Sequence, residues 1–376
     1  MSRIVSVYSP RRRSVDRLDM AEIRWHRMSA ALADLGHTVH MASAELGWRF
    51  RRRMPDSPGL SVVPIAGVDW DTYDVVKTVF HAGFETLEKY GGAHHPLIIS
   101  KLGSVVGSND MPGVYFYGRQ RERLYATQQR IVETSKFAAL LSEPAFSLWR
   151  QTHGDKPQLL LVPGAADAVI PLPNRDPYPK ETLTRCLFAG NFYSSQPGSQ
   201  PEAHREIALR LNRLGALLID RGARLFVLGP GDHRSLDARH VSYCGAIPYE
   251  RSWDYLHFAT VGIVVAAGPF MHNNESTKIY SYLRAGLPVV SEAGFPNDDV
   301  VLDSGLGCVV ENGNLSQLAD TAIEAANADW DRERGVQFIL GAHTWHHRAA
   351  IYDRLLQDLG VGASRRVRQR ISWNQT

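Results

Sequence analysis

The run Asn273–Glu292, NNESTKIYSYLRAGLPVVSE, constrains the fold more than any other stretch, because three signals with separate physical causes follow one another in it. Asn273 to Thr277 are polar residues suited to a loop and a helix N-cap. Ile279 and Leu283 stand at helical spacing, and Gly286 supplies a C-terminal stop. Leu287-Pro288-Val289-Val290 then reads as a short buried strand with its proline at the start, where no ladder donor is lost. The start of such a helix leaves backbone N–H groups unpaired at a positive dipole end, and Lys278 adds a full charge just inside it. The pattern suits a phosphate or pyrophosphate. It also fits a plain surface helix with an ordinary cap.

The same strand, loop and helix order recurs along the chain. Ile4–Tyr8 is a short β-branched run, Asp19–Leu35 has helical spacing through Met20, Ile23, Met28 and Leu32, and Thr38–Ala42 follows Gly36 as a second strand. That opening is a βαβ unit and implies a parallel sheet. Further strands are expected at Leu60–Ile65, Val75–Phe80 and Pro96–Ser100, the last leading into the turn-rich KLGSVVGSNDMPG. Ligands of open α/β sheets gather at strand carboxyl ends, so Lys101–Gly113 is a candidate cleft lining with Asp110 as its carboxylate. An Asx-turn role fits Asp110 as well.

Gln120–Phe137, Ala138–Leu141, Glu143–Thr152 and Leu159–Val162 read as helix, strand, helix and strand. Prolines 171, 173, 177 and 179 then crowd a segment of little periodicity, so 163–184 is expected to be a linker. Beyond it, Cys186–Ala189 is a strand, Gly190-Asn191 a loop, and Pro201–Asp220 a helix carrying Ile207, Leu211, Leu214 and Leu218. Arg224–Leu228 is a strand ending in Gly229-Pro230-Gly231, a glycine pair able to bring backbone close to a ligand. Arg234 fills the third glycine position of G-x-G-x-x-G, which argues against a nicotinamide-type fingerprint. Val241–Ile247 and the residues after it read as strand, helix, strand. Trp253 there suits either base stacking or the core, and core is the more ordinary role.

A chain of 376 residues, 44% hydrophobic and 22% charged, is long enough for two domains. The expected division is residues 1–165, a linker at 166–184, residues 185–342, and a final helix at 343–376 returning to the first domain. A net charge of +3 is too small to imply a nucleic-acid partner. Clusters such as Arg11–Arg13, Arg51–Arg53 and Arg365-Arg366 could still give local patches, including peripheral membrane contact. Cys186, Cys244 and Cys308 are scattered and odd in number, against a disulfide framework or zinc site. His343, His346 and His347 stand at helical spacing, but without an H-E-x-x-H acid they read as a helix face rather than a metal site. Without a signal h-region or a span-length apolar stretch, the expectation is a cytoplasmic protein.

TKIYSYLRAGLPVV, the GLG at Gly305 and the following VVENGNLSQLADTAIEA resemble the donor-binding half of GT-B glycosyltransferases, particularly family 4 and its relatives. LADLGHTVHMAS is similar to the opening of their amino-terminal domains, and Pro163-Gly164 to the turn closing that domain. The resemblance implies two Rossmann-like α/β domains with parallel sheets and an interdomain cleft. It further implies transfer of a sugar from a UDP- or GDP-sugar donor to a glycan, lipid-linked or small-molecule acceptor, with no tightly bound cofactor and no metal. Lys278 and the helix start at Asn274, Glu275, Ser276 and Thr277 would meet the diphosphate, and the backbone at Gly245, Ala246 and Ile247 the base. Asp110 lies near the region of the general base of inverting relatives. One departure is plain: where the family places a ribose-binding glutamate, this chain has Ser281. Segments of the xanthan glucuronosyltransferase type are also similar and also lack that glutamate. The family's glycine-rich first loop is replaced by SPRRRSVDRLD, whose arginines suit an anionic group or a solvated loop. Two other readings share the resemblance: a nucleotide-sugar epimerase or phosphorylase, and a partner protein that binds nucleotide-sugar without catalysis.

Overall fold

A computed structural model describes residues 1–9, 20–44, 58–109, 118–180, 184–195, 202–266 and 273–362. The chain divides into two compact units, one formed by 1–108, 118–163 and 345–376, the other by 109–117 and 164–344.

The first unit contains a parallel sheet of seven described strands in the order β3-β2-β1-β4-β5-β6-β7. These are β1 (Arg3–Val7), β2 (Thr38–Ser43), β3 (Leu60–Pro64), β4 (Val75–Val79), β5 (Ile98–Lys101), β6 (Phe137–Leu140) and β7 (Gln158–Leu161). β4 and β6 are buried along their whole length, as strands covered on both faces must be. One face carries Val5, Val7, Val76 and Ile98 against Trp70 and Leu87. Helix α1 (Met20–Asp34) packs with the last described helix of this unit, Trp345–Asp358, and His37 Nε2 lies 3.1 Å from Asp353 Oδ1. Among the described residues the unit has three more α-helices, α2 (Phe80–Lys89), α3 (Gly118–Thr134) and α4 (Glu143–His153). Sequence periodicity carries β4 through Phe80 and gives no helix after it. The chain instead turns sharply at Phe80, whose φ of 58° is left-handed for a bulky residue.

The second unit repeats the plan with six described strands in the order β10-β9-β8-β11-β12-β13, all parallel. Here β8 is Thr184–Ala189, β9 Ala223–Leu228, β10 Val241–Gly245, β11 Val261–Val264, β12 Val289–Glu292 and β13 Gly307–Val310. The described α-helices are α5 (Glu202–Ile219), α6 (Tyr249–Phe258), α7 (Thr277–Arg284), α8 (Asp298–Asp303), α9 (Leu315–Asn327) and α10 (Arg332–Ala342), and α11 is the Trp345–Asp358 helix of the first unit. Leu211, Leu214 and Leu218 of α5 are fully buried, so the helical spacing there marks the core-facing stripe. Asn314 caps α9 by accepting from Gln317 N–H at 3.0 Å.

Of the proline-rich stretch 166–184, the described residues lie along the second unit. Tyr178 is buried and donates to Tyr255 O at 2.8 Å, and Arg185 pairs with Asp176 at 2.9 Å. Val169 and Leu172 nevertheless remain 85% and 87% exposed. No described helix is long and apolar enough to cross a membrane.

Candidate active site

The strand order of the second unit reverses between β8 and β11, since successive strands run outward from β8 to β10 and then from β11 to β13. In open α/β sheets this reversal separates neighbouring loops and opens a crevice at the strand carboxyl ends. Only Val261↔Cys186 and Gly262↔Leu187 pair between β8 and β11. Past that point the hydroxyl of Tyr282 takes over. It accepts the Ala189 N–H at 2.7 Å and lies 3.1 Å from Leu187 O and 3.4 Å from Ile263 O. Tyr282 is fully buried, and burial pushes its phenol well above the ordinary value, so it stays a neutral hydrogen-bonding plug. Gly262 admits the ring: a Cβ there would lie 2.5 Å from it.

One helical turn before Tyr282 stands Lys278, and residues four apart share a helix face. Its Nζ lies 4.9 Å from the centre of the Phe188 ring. Its stem crosses Gly190, where a Cβ would come within 2.3 Å of Cε. Gly190 is therefore the space through which the lysine reaches the end of β8. Ser276 is the N-cap residue of α7, but its side chain makes no cap bond, and its buried Oγ has no hydrogen-bond partner among the described residues. A cation and an N-terminus without a side-chain cap thus come together beside the strand reversal, an arrangement that attracts an anion.

The other residues singled out from sequence have different surroundings. Glu275 accepts from Gly164 N–H and from Tyr280 Oη at 2.9 Å, which ties it to the chain itself. Asn273 and Asn274 are half-buried on the same approach to the helix, and Thr277 begins it. Ser281 turns its hydroxyl back to Thr277 O at 3.4 Å. Gly229 and Gly231 do permit close approach, but to protein. A Cβ at Gly229 would lie 2.3 Å from Gly190 O, and one at Gly231 would meet the Phe192 ring at 2.5 Å. Asn191 lies just after Gly190 in the loop that these contacts fasten to the β9 turn, with Gly190 N–H donating to Leu228 O at 2.7 Å. Gly245, with φ of 92° and open space where a side chain would stand, leads into the half-buried Ala246 and Ile247.

At the corresponding edge of the first unit, Gln128 is fully buried. It accepts from Val106 N–H at 2.9 Å, donates to Val106 O at 2.9 Å, and lies 3.3 Å from His81 Nε2 and 2.9 Å from His153 Nε2. Burial holds the His153 imidazole below its ordinary pKa. Asp110, Arg11–Arg13, Arg51–Arg53 and Arg365-Arg366 lie outside the described residues. The three histidines at 343, 346 and 347 do not share a helix, because His343 ends α10 while the other two belong to α11. His343 packs on Tyr280 and Phe338, whereas His346 Nε2 lies 2.9 Å from Asp34 Oδ2.

Sequence reasoning passed over Tyr282, Phe188, Arg210, Glu292 and Asn297. Tyr282 could have been found from its four-residue step after Lys278. Glu292 had a fainter signal, a carboxylate ending an apolar strand run.

No family model and no curated protein matches the sequence. Solved structures do match the fold. Sucrose-phosphate synthase from Thermosynechococcus elongatus is similar at 14% identity and a TM-score of 0.70, over 96% of this chain and 99% of that one. A glycosyltransferase from Rickettsia africae is similar at 12% identity and 0.63, over 95% and 98%. HepE from Anabaena, solved in complex with UDP and glucose, is similar at 10% identity and 0.62, over 96% and 100%. These likenesses establish a GT-B architecture of two Rossmann-like parallel sheets.

Proposed function

We propose that this protein is a glycosyltransferase that moves a sugar from a nucleotide-diphosphate sugar, a UDP-sugar foremost, to a glycan, lipid-linked or small-molecule acceptor. The observation that carries the reading is the meeting of Lys278, Gly190 and the start of α7 beside the β8/β11 reversal. Glycosyl transfer leaves charge on a departing diphosphate. A fixed ammonium and aligned backbone N–H groups stabilise that charge without reorganising. HepE, similar in fold, has been solved with UDP-glucose, which makes UDP the first nucleotide to test. The base would rest against the backbone at Gly245–Ile247, where Gly245 leaves open space. Asp110 remains the proposed base for the acceptor.

A second reading, a nucleotide-sugar binder without turnover, draws on Ser281, whose hydroxyl is directed to Thr277 O where the resembled family carries a carboxylate. One experiment separates the two. The purified protein is incubated with a panel of UDP- and GDP-sugars, with nucleotide release and thermal shift measured together. Stabilisation with release supports transfer, stabilisation alone supports the binder, and neither response to any nucleotide removes both.

A further inference from the structure

We infer that Glu292 and Asn297 are positioning residues that hold the two ends of the β11–α7 connection and so set where Lys278 and the α7 N-terminus stand. The inference rests on the donor-site reading above and deepens it. The connection leaves β11 at Ala266, whose N–H donates to Glu292 Oε2 at 2.8 Å. It re-enters the helix at Ser276, whose N–H donates to Asn297 Oδ1 at 2.9 Å and whose carbonyl accepts from Asn297 Nδ2 at 3.0 Å. Both holding residues come from one short stretch at the end of β12, and they are 0% and 1% exposed.

Two features separate this from routine loop packing. An asparagine at a helix N-cap ordinarily spends its side chain on its own helix. Asn297 stands at the N-cap of α8 yet makes no cap bond there, and its whole amide pairs with Ser276 as a strand neighbour would. Glu292 likewise is a fully buried carboxylate at the end of an apolar strand. Its Oε1 accepts from Gly313 N–H at 3.0 Å and from the Arg210 guanidinium of α5, so the charge is matched and the carboxylate joins the loops after β11 and β13 to α5. A buried charge is retained when it is both paired and hydrogen-bonded, and here the pairing is with Arg210 while the other two bonds fall on main chain, at Ala266 and Gly313. Ser276, held on both its N–H and its carbonyl, has no partner for its buried Oγ among the described residues. The residue two positions on is Lys278.

The test uses the full chain with Asn297→Ala and, as the variant least disturbing to volume, Glu292→Gln. Amide hydrogen exchange is followed by peptide, and UDP affinity by calorimetry. In Asn297→Ala, exchange over Asn273–Lys278 should rise at least about tenfold while the β8 and β9 amides keep their protection. UDP affinity should fall about tenfold, and thermal unfolding should shift little. Glu292→Gln should give the same rise in exchange and fall in UDP affinity centred on Ala266 and Gly313, with a lower thermal unfolding temperature because Arg210 loses its counter-charge. Exchange unchanged at these positions, or raised evenly through the second unit, overturns the inference, as does local loosening with UDP affinity intact. If the unsubstituted protein binds no UDP, the donor reading fails, and the exchange result alone then decides whether the two residues hold the connection.

Discussion

Glu292 and Lys77 are both charged groups buried in a parallel sheet, one in each unit, and the protein treats them in opposite ways. Glu292, 0% exposed, is met by Arg210 and by two backbone N–H groups. Lys77 in β4 is 3% exposed, and its Nζ lies 5.3 Å from the centre of the Tyr352 ring of α11. Burial holds its pKa down at about 8. A buried charge met by a counter-ion and hydrogen bonds organises the groups around it, whereas Lys77, faced by the Tyr352 ring, still bears a desolvation cost that pH can switch off. The second unit spends its buried charge on the loops beside the proposed site. The first unit carries its own as a liability under α11.

The sharpest way to break this contrast is Glu292→Ala, which strands the Arg210 guanidinium and two N–H groups. Stability should drop by about 3–5 kcal/mol in chemical denaturation. A loss under 1 kcal/mol by the same measure would put Glu292 among weak surface-type pairs and dissolve the distinction.

Lys77→Met should do the reverse. The folded-state pKa of about 8 lies below the ordinary 10.5, so below pH 8 both folded and unfolded chains are protonated and the folded one bears the full cost. Between about 8 and 10.5 the unfolded chain holds the extra proton, and stability rises with pH until the cost is gone. The variant should therefore be more stable than the parent by roughly 3 kcal/mol at pH 7, with the gap closing by pH 10.5. Paired denaturation curves across that range check it, and a pH-independent difference would point to packing instead.

Within the second unit, Lys278→Ala tests whether the lysine serves a ligand or the fold. Loss of a charge-assisted contact to phosphate should weaken transfer, read as kcat/KM, by roughly 1.5–3 kcal/mol. Thermal stability should barely move. Unchanged turnover and nucleotide affinity in a folded variant would end the assignment. The smallest effect is expected from Ser281→Ala, because the hydroxyl is directed to a carbonyl of its own helix at 3.4 Å. Nucleotide affinity should stay within roughly 0.5 kcal/mol of the parent, as for substitutions away from special features. Calorimetry showing binding abolished would mean the ribose is held through that hydroxyl.

Much of the fold could be read in advance because each signal is local. The helical stripe of α5, the cap-to-glycine frame of α7 and the β-branched runs of β1, β11 and β12 depend on residues a few positions apart. Where the reading slipped, a longer-range constraint intervened. Leu287–Val290 reads as a strand, but Leu287 N–H closes the α7 end on Tyr282 O, so the ladder begins at Val289 and runs on to Glu292. The turn at Phe80 hid α2 in the same way, since propensity favours continuing the strand.

The site divides along the same line. Sequence alone determined that Lys278 stands in the first turn of a helix after a polar loop, because capping and charge are written in neighbouring residues. It also determined that Gly190 and Gly229 follow successive strands, while it carried the next strand past Gly245 to Ile247, where the structure ends it at Gly245. Only the tertiary structure decided that Gly190 makes room for the lysine while Gly229 makes room for Gly190 itself. Only it decided that Tyr282 replaces a missing stretch of ladder, and that Glu292 and Asn297 reach back 26 and 21 residues to hold Ala266 and Ser276. Those roles depend on which strands become neighbours, a choice made by burial of whole faces, and no pattern within one segment contains it.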